Sequence, residues 1–457
     1  MTGVFKTKAR LALWKIINIA LMSVAFYGAW KLYYNHVITA EFQWKGNMVM
    51  VLVFVFLYLV FARIYEAFAV EFQRRLSIMF SQALSLVFAD AACYIVIFIL
   101  AEKFINVLPL LALLCLQLAL ALCWVLAVYK WYFSAVPPKA ALIVQDGSTE
   151  NWRLHRELAS DKNYHVFAVM ELGDWYRAEL SPLTKAEVVF VCCRRSDQRD
   201  AFIKHCAESK IQVLFIPAVE DMLLNAAKHV HMFHMPIMSV ELSGPDLGYR
   251  TIKRIVDIVV SVSALLILWP VMLVVALLIK LGDGGPCIYK QRRLTKDGKI
   301  FELYKFRSMR VDAEADGVAR LSTGDNDDRI TPVGRFIRRC RLDELPQLLN
   351  ILLGSMSIVG PRPERPEIAE QYEKDLPEFR LRLQAKAGLT GYAQVYGTYS
   401  TTPYDKLQLD LMYISRPSII EDIRIMFMTL KILFMKESTE GFTEDAAAAV
   451  SSGGDRV

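Results

Sequence analysis

Four apolar stretches, near Leu11–Tyr33, Met48–Phe68, Ile78–Leu100 and Val107–Phe133, occupy the first third of the chain. Each reaches the roughly 20 residues that cross a hydrocarbon core about 30 Å thick at 1.5 Å per residue. Residues 1–136 therefore read as a four-helix transmembrane bundle. The 457 residues, 54% of them apolar, leave room for two further folded domains. Lys6, Lys8, Arg10, Arg63, Arg74 and Arg75 flank one side of the bundle, whereas the other loops offer little beyond Lys45 and Lys103. That asymmetry places both ends of the bundle on the cytoplasmic side. The first run is long and lacks a clean small-residue cleavage site, so it reads as an uncleaved signal-anchor. Asp90 lies inside the third run with no second buried charge beside it, and is expected to hydrogen-bond a neighbouring helix rather than line an ion path.

After Pro137–Pro138 the composition becomes that of a soluble domain. Short β-branched runs at Ala140–Val144, His165–Val169, Val188–Cys192 and Gln212–Ile216 alternate with helix-like polar stretches. This pattern predicts a parallel-sheet α/β domain over residues 137–245. Its first strand leads into Gln145-Asp146-Gly147-Ser148-Thr149, where a dinucleotide site needs several glycines to admit a pyrophosphate. The expectation is a Rossmann-like domain without dinucleotide binding, serving as a structural or regulatory module. His229, His231 and His234 are spaced as metal ligands could be, but no Cys, Asp or Glu completes the set nearby, and the segment reads as a partly exposed linker. None of the eight cysteines forms a CxxC pair, so neither a disulfide framework nor a zinc site is indicated. The net charge of +6 is modest and its cations gather beside apolar runs and in the last third, which suits anionic head groups or phosphorylated ligands; no nucleic acid is needed.

Another apolar segment runs from Arg254 to Lys280, with Pro270 near its midpoint. Its length alone suits a fifth span. A mid-helix proline removes a backbone hydrogen bond at a cost of about 3 kcal/mol, however, and is best tolerated where the chain turns. A full span would also carry the basic region after Lys280 across the membrane. A re-entrant helix over 254–280, broken at Pro270, keeps both flanks on one side. Lys253, Arg254, Lys290, Arg292 and Arg293 could then meet anionic lipid, or serve only snorkelling and topology.

Residues 246–440 hold the motifs that suit phosphate chemistry. In Tyr304-Lys305-Phe306-Arg307 the aromatic residues alternate with Lys305 and Arg307, which places both cations on one face of a strand. The arginine-rich stretch Gly334–Arg341 runs into Leu342-Asp343-Glu344-Leu345-Pro346. Two duties fit these acids: capping the helix that continues through Leu348–Leu353, or catalysis. Gly360-Pro361-Arg362-Pro363 is a stiff turn that fixes an arginine, and Gly388–Gln394 is a second glycine-bearing loop. A planar guanidinium can contact two diphosphate oxygens at once, and a hard divalent cation, Mg²⁺ above all, would neutralise carboxylate against phosphate. The tail 441–457 is small and polar and reads as disordered.

From about Lys253 to Ile432 the chain resembles the bacterial polyprenyl-phosphate hexose-1-phosphate transferases, the monotopic phosphoglycosyl transferases. The likeness rests on YKFRSM, RITPVGRFIR, LDELPQLLNILLGSMSIVGPRPERPE and GLTGYAQVYG. The upstream bundle and degenerate nucleotide-binding-like domain look like the large members of that family. The resemblance implies an α/β transferase domain on a re-entrant membrane helix, transferring a hexose 1-phosphate, glucose or galactose, from a UDP-sugar to undecaprenyl phosphate. UMP would be released as the first membrane step of exopolysaccharide or capsule synthesis, at the bacterial inner membrane. By the same resemblance Asp343 would be the nucleophile and Mg²⁺ ligand, Glu344 its dyad partner, and Lys305, Arg338 and Arg362 the phosphate-binding cations. Pro270 would be the helix break, although Trp269 stands where many members have serine. Gln408 stands in a Glu–x–Asp pattern, which leaves Asp410 alone as a minor site candidate. A membrane glycosyltransferase releasing UDP, or a silent scaffold of a polysaccharide assembly complex, are the competing expectations. A homodimer is compatible with this organisation.

Overall fold

The computed structural model describes residues 2–147, 152–175, 181–193, 195–232, 235–240, 246–310, 329–397 and 401–433. They divide into two compact units, Met1–Ile216 and Pro217–Val457. The tail expected to be disordered, 441–457, lies outside the described residues, as does His234.

In the first unit, helices Thr2–Ala29, Trp44–Ile64, Arg75–Ala101 and Leu108–Ala135 each hold a window long and apolar enough to cross a membrane. Their faces are apolar almost all round, so specificity in packing comes from a few buried polar pairs. The Tyr58 hydroxyl meets both Asn18 and Gln82, joining three helices, and Trp30 Nε1 donates to Asn47 Oδ1 at 2.8 Å. Asp90 is buried and accepts from Gln117 Nε2 of the next helix at 3.5 Å, the partner expected of it.

The same unit carries a four-stranded sheet in the order β2-β1-β3-β4, from β1 (Lys139–Gln145), β2 (Tyr164–Glu171), β3 (Val188–Cys192) and β4 (Gln212–Phe215). All pairings are parallel. Every residue of β3 is buried, as its unbroken apolar run requires of a strand covered on both faces.

The second unit begins earlier than composition suggested, at Pro217 rather than at 246. Packing explains the shift. Val219 and Met222, on helix Val219–Asn225, share a core with Phe379, Leu407 and Leu411, and Arg416 donates to Asn225 Oδ1 at 2.7 Å. Next comes an antiparallel hairpin, β5 (Lys228–Met232) and β6 (Met235–Ser239), where a linker was expected; His229 and His231 stand in it opposite Met238 and Pro236.

Helix Leu247–Asp283 is longer than the expected 254–280 and runs on through Pro270 without a non-helical residue. The break expected at Pro270 is therefore absent as an interruption. A proline deletes one hydrogen bond and crowds the preceding turn, and a helix can accommodate that by bending. The rest of the unit then folds as an antiparallel pair, β7 (Ile288–Leu294) with β8 (Ile300–Phe306), and a parallel pair, β9 (Ser357–Val359) with β10 (Gly388–Thr390), among short helices. Leu303, Ile351, Ile358, Val359, Tyr413 and Ile425 form its core, with Val260, Ala264 and Leu265 of the long helix packed against them.

Candidate active site

Asp343 and Glu344 sit in a 3₁₀ turn, Leu342–Glu344, between helices Pro332–Arg339 and Gln347–Leu353. Arg341 initiates it with a left-handed backbone, φ 52°. Leu342 and Leu345 bracket the two acids and pack against a cluster containing Val275, Ile279, Phe306 and Ile337, so the turn is held by its apolar neighbours. Helix capping does not use them: Arg341 and Pro346 occupy the N-cap positions of the turn and the following helix, and neither end has a side-chain cap bond. Glu344 Oε1 instead lies 3.3 Å from Lys305 Nζ and 3.1 Å from Arg362 Nη2.

Arg362 is placed by its backbone. Four successive carbonyls are each tied down: Pro361 O accepts from Gly388 N at 2.9 Å, Arg362 O from Arg382 Nη2 at 2.9 Å, Pro363 O from Arg293 Nη1 at 2.9 Å and Glu364 O from Leu294 N at 3.0 Å. The two glycine-bearing loops meet here. A Cβ on Gly388 would lie 2.1 Å from Gly360 N, and one on Gly391 2.2 Å from Gly360 O, so the backbones touch where no side chain fits.

Arg338, in the last turn of its helix, donates from Nε to Ser308 Oγ at 2.8 Å. Thr331 caps the same helix by accepting from Gly334 N at 2.9 Å, and a Cβ on Gly334 would fall 1.9 Å from Ser308 O. Ser308 and Gly334 thus fix Arg338 beside the dyad. Arg307, expected to share a face with Lys305, lies instead with its guanidinium against Gly285. Asp410 is likewise drawn away from the dyad: its carboxylate pairs with Arg382 Nη2 at 2.6 Å, the arginine that holds the Arg362 carbonyl. Gln408 donates to Pro217 O.

The environment pushes the two dyad carboxyls apart. Burial works against ionisation of Glu344, but Lys305, Arg362 and Arg341 overcome it and hold the carboxyl well below the usual range. Asp343 goes the other way. Burial raises it and Glu344 adds repulsion, and the attraction of Lys305, Arg338 and Arg362 is not enough to reverse that. Burial also lowers Lys305. The result is a Glu344 held towards its charged form by the cations around it, beside a more basic Asp343 only 9% exposed. A basic carboxylate is the better nucleophile of such a pair.

Arg293, Arg382 and Glu364 were not singled out as site residues by sequence. Glu364 gathers Arg293, Arg382 and Lys406 within 3.8 Å. Of the cations expected to face lipid, Lys253 pairs with Asp422 at 2.9 Å, Arg254 holds carbonyls, Lys290 pairs with Glu302 at 3.0 Å and Arg293 holds Pro363. Among the described residues no group of three or more His, Cys, Asp or Glu could hold a metal ion by itself.

This arrangement, a buried acid turn facing fixed guanidiniums below a long apolar helix, coincides with the region matched by the family model for bacterial sugar transferases, residues 248–436. The chain is 39% identical over 301 residues to a UDP-glucose:undecaprenyl-phosphate glucose-1-phosphate transferase of Escherichia coli, covering 64% of this chain and 59% of that protein. It is 35% identical over 237 residues to a UDP-N-acetylgalactosamine-undecaprenyl-phosphate N-acetylgalactosaminephosphotransferase of Aeromonas hydrophila, covering 51% and 55%. An exopolysaccharide production protein of Rhizobium leguminosarum is 45% identical over 188 residues, 39% of this chain and 93% of that protein. The first two relatives are thus spanned over less than two thirds of their length, but the third almost end to end. This chain belongs to the bacterial sugar transferase family.

Proposed function

We propose that this protein moves a hexose 1-phosphate, glucose or galactose, from a UDP-sugar to undecaprenyl phosphate and releases UMP. The observation that carries the reading is Glu344 clamped between Lys305 and Arg362 beside a buried Asp343. The Asp343 carboxylate oxygen attacks the sugar-bearing phosphorus, the bond to the bridging oxygen breaks, and UMP departs with that electron pair. A phosphate oxygen of the lipid then attacks the same phosphorus, freeing the carboxylate and leaving a sugar diphosphate on the lipid. Splitting the transfer lets each step be a single displacement at a fixed phosphorus. Arg362 and Arg338 orient and neutralise the phosphates, and the carbonyl ties around Arg362 supply that order before substrate arrives.

Mg²⁺ fits as a co-substrate rather than a resident ion. Glu344 is already paired with cations, so Asp343 would hold the ion together with the donor's phosphates and water. When bound, it would neutralise phosphate charge.

The setting we infer is the bacterial inner membrane, with residues 1–136 as a four-helix anchor, the parallel sheet as a Rossmann-like module, and the transferase part cytoplasmic. Helix Leu247–Asp283 is read as re-entrant. Leu266, Ile267 and Trp269, around Pro270, are 60% or more exposed, while the arms on both sides dock on the same transferase core through Val260 and Leu265 and through Val275 and Ile279. A straight crossing would separate those arms by the roughly 30 Å of the hydrocarbon core. The direct test is nucleotide release by purified protein with Mg²⁺, undecaprenyl phosphate and a panel of UDP-sugars. UMP release with one donor, abolished in Asp343→Ala, is the expected result; UDP release or no release would overturn it.

A further inference from the structure

The long helix makes a second kind of contact with the transferase core, polar and confined to one turn. Arg254 donates from Nη1 to Ile351 O at 2.6 Å and from Nη2 to Leu352 O at 2.7 Å. These are two of the last carbonyls of helix Gln347–Leu353, the first of which also accepts from Gly354 N at 3.0 Å, and the guanidinium meets the negative end of that helix. Asp257, three residues on and so on the same face, accepts with Oδ1 from Ser357 Oγ at 3.1 Å and from Ile358 N at 3.0 Å. Those groups open β9. One turn of helix thus grips both sides of the connection at Gly354, whose φ of +87° turns the chain from helix to strand.

What lies on either side of that connection matters. Upstream, helix Gln347–Leu353 begins three residues after Glu344. Downstream, β9 ends at Val359, three residues before Arg362. The Glu344–Arg362 contact of 3.1 Å therefore closes a loop of structure whose far side is held by Arg254 and Asp257. Asp257 is buried, and Arg254 is half-buried against Gly354.

We infer that Arg254 and Asp257 are positioning residues: by clamping the helix end to the strand start, one turn of the membrane helix sets the separation of the Asp343–Glu344 dyad from Arg362. The inference rests on the reading of that dyad as the active site. The seating of the membrane helix is then read out as catalytic geometry, because a displaced arm drags the helix end and the strand start with it.

The test uses the full chain and measures UMP release with the responding UDP-sugar and undecaprenyl phosphate. Arg254→Ala is expected to lower kcat about 10- to 100-fold, the scale of an ångström-sized misplacement, with KM for the donor little changed. Arg254→Lys should recover only part of this loss, since an ammonium keeps the charge but not the two-pronged grip. Arg254→Ala combined with Arg362→Ala should be little worse than Arg362→Ala alone, because both act on one contact. Asp257→Asn, nearly isosteric, provides an independent variant should Arg254→Ala fail to fold, and is expected to lose kcat with an unchanged melting temperature. Full recovery by lysine, strictly additive losses, or wild-type kcat in Asp257→Asn would each overturn the inference. Wild-type protein that releases no UMP with any donor would sink the transferase reading and the inference with it, whereas turnover untouched in Arg254→Ala sinks the inference alone.

Discussion

Replacing Gly388 with alanine tests whether the backbone contact between the two glycine-bearing loops sets the position of Arg362. The new methyl would meet Gly360 N at 2.1 Å and Gly360 O at 2.5 Å, against the 3.4 Å at which ordinary contact begins. The obstacle is backbone, so no rotamer change relieves it, and the two chains must part by about 1.3 Å. Pro361 follows Gly360 with a fixed φ and cannot absorb the shift, which therefore passes to Arg362. A displacement of that size at a group proposed to hold phosphate should cost about 10²-fold in rate, or close to 3 kcal/mol of barrier. Overpacking should also cost about 1–3 kcal/mol of stability. The assay is saturating-donor UMP release well below the melting temperature, with a thermal melt run alongside. A folded Gly388→Ala protein with kcat within twofold of wild type would refute the link between this contact and catalysis.

Arg382→Ala strips Asp410 of its partner while both groups are almost fully buried; an uncompensated buried carboxylate should cost about 3–5 kcal/mol, readable as a large drop in thermal or denaturant midpoint. Restoring apolar character at both positions should recover much of it. Burial opposes ionisation of Glu364, but Arg382, Lys406 and Arg293 hold its carboxyl below the ordinary range. A depressed acid stabilises the fold above its unfolded value, about 4.3, and that share is lost as pH falls through the lower folded value. Glu364→Gln should therefore flatten the acid limb of stability, and denaturant melts over that range will show whether it does. Chelating Mg²⁺ should stop UMP release yet leave the melt of donor-free protein unchanged, since no preformed metal cluster stands among the described residues; a fall in the melt would mean a resident ion.

The parts of this protein legible in its sequence are those where local pattern decides the outcome. Apolar runs of membrane length leave few alternatives, and Val188–Cys192 reads as a buried strand because nothing in it is polar. Asp343, Glu344 and Arg362 stood out because motif and turn chemistry surround them, and the fold brings Glu344 and Arg362 together at 3.1 Å. What could not be read depends on contacts across long separations. Arg382 and Glu364 have ordinary neighbours in sequence, and only folding shows that one guanidinium joins Asp410 to the Arg362 carbonyl. No glycine stands between the strands β5 and β6 to signal a change of direction, and the segment read as a linker because nothing nearby completes its histidines as metal ligands. Arg254 looked like a membrane-flanking cation, since the carbonyls it holds lie 97 and 98 positions away.

The central claim is that the phosphorus bearing the sugar leaves the nucleotide, and one experiment follows that atom. UDP-sugar labelled with radioactive phosphorus at the β position is given to purified protein with Mg²⁺ and undecaprenyl phosphate, and the lipid and aqueous products are separated. The account predicts that the label moves into the lipid with an equal amount of unlabelled UMP, and that Asp343→Ala moves none. Label retained on soluble UDP while the sugar reaches the lipid would contradict it.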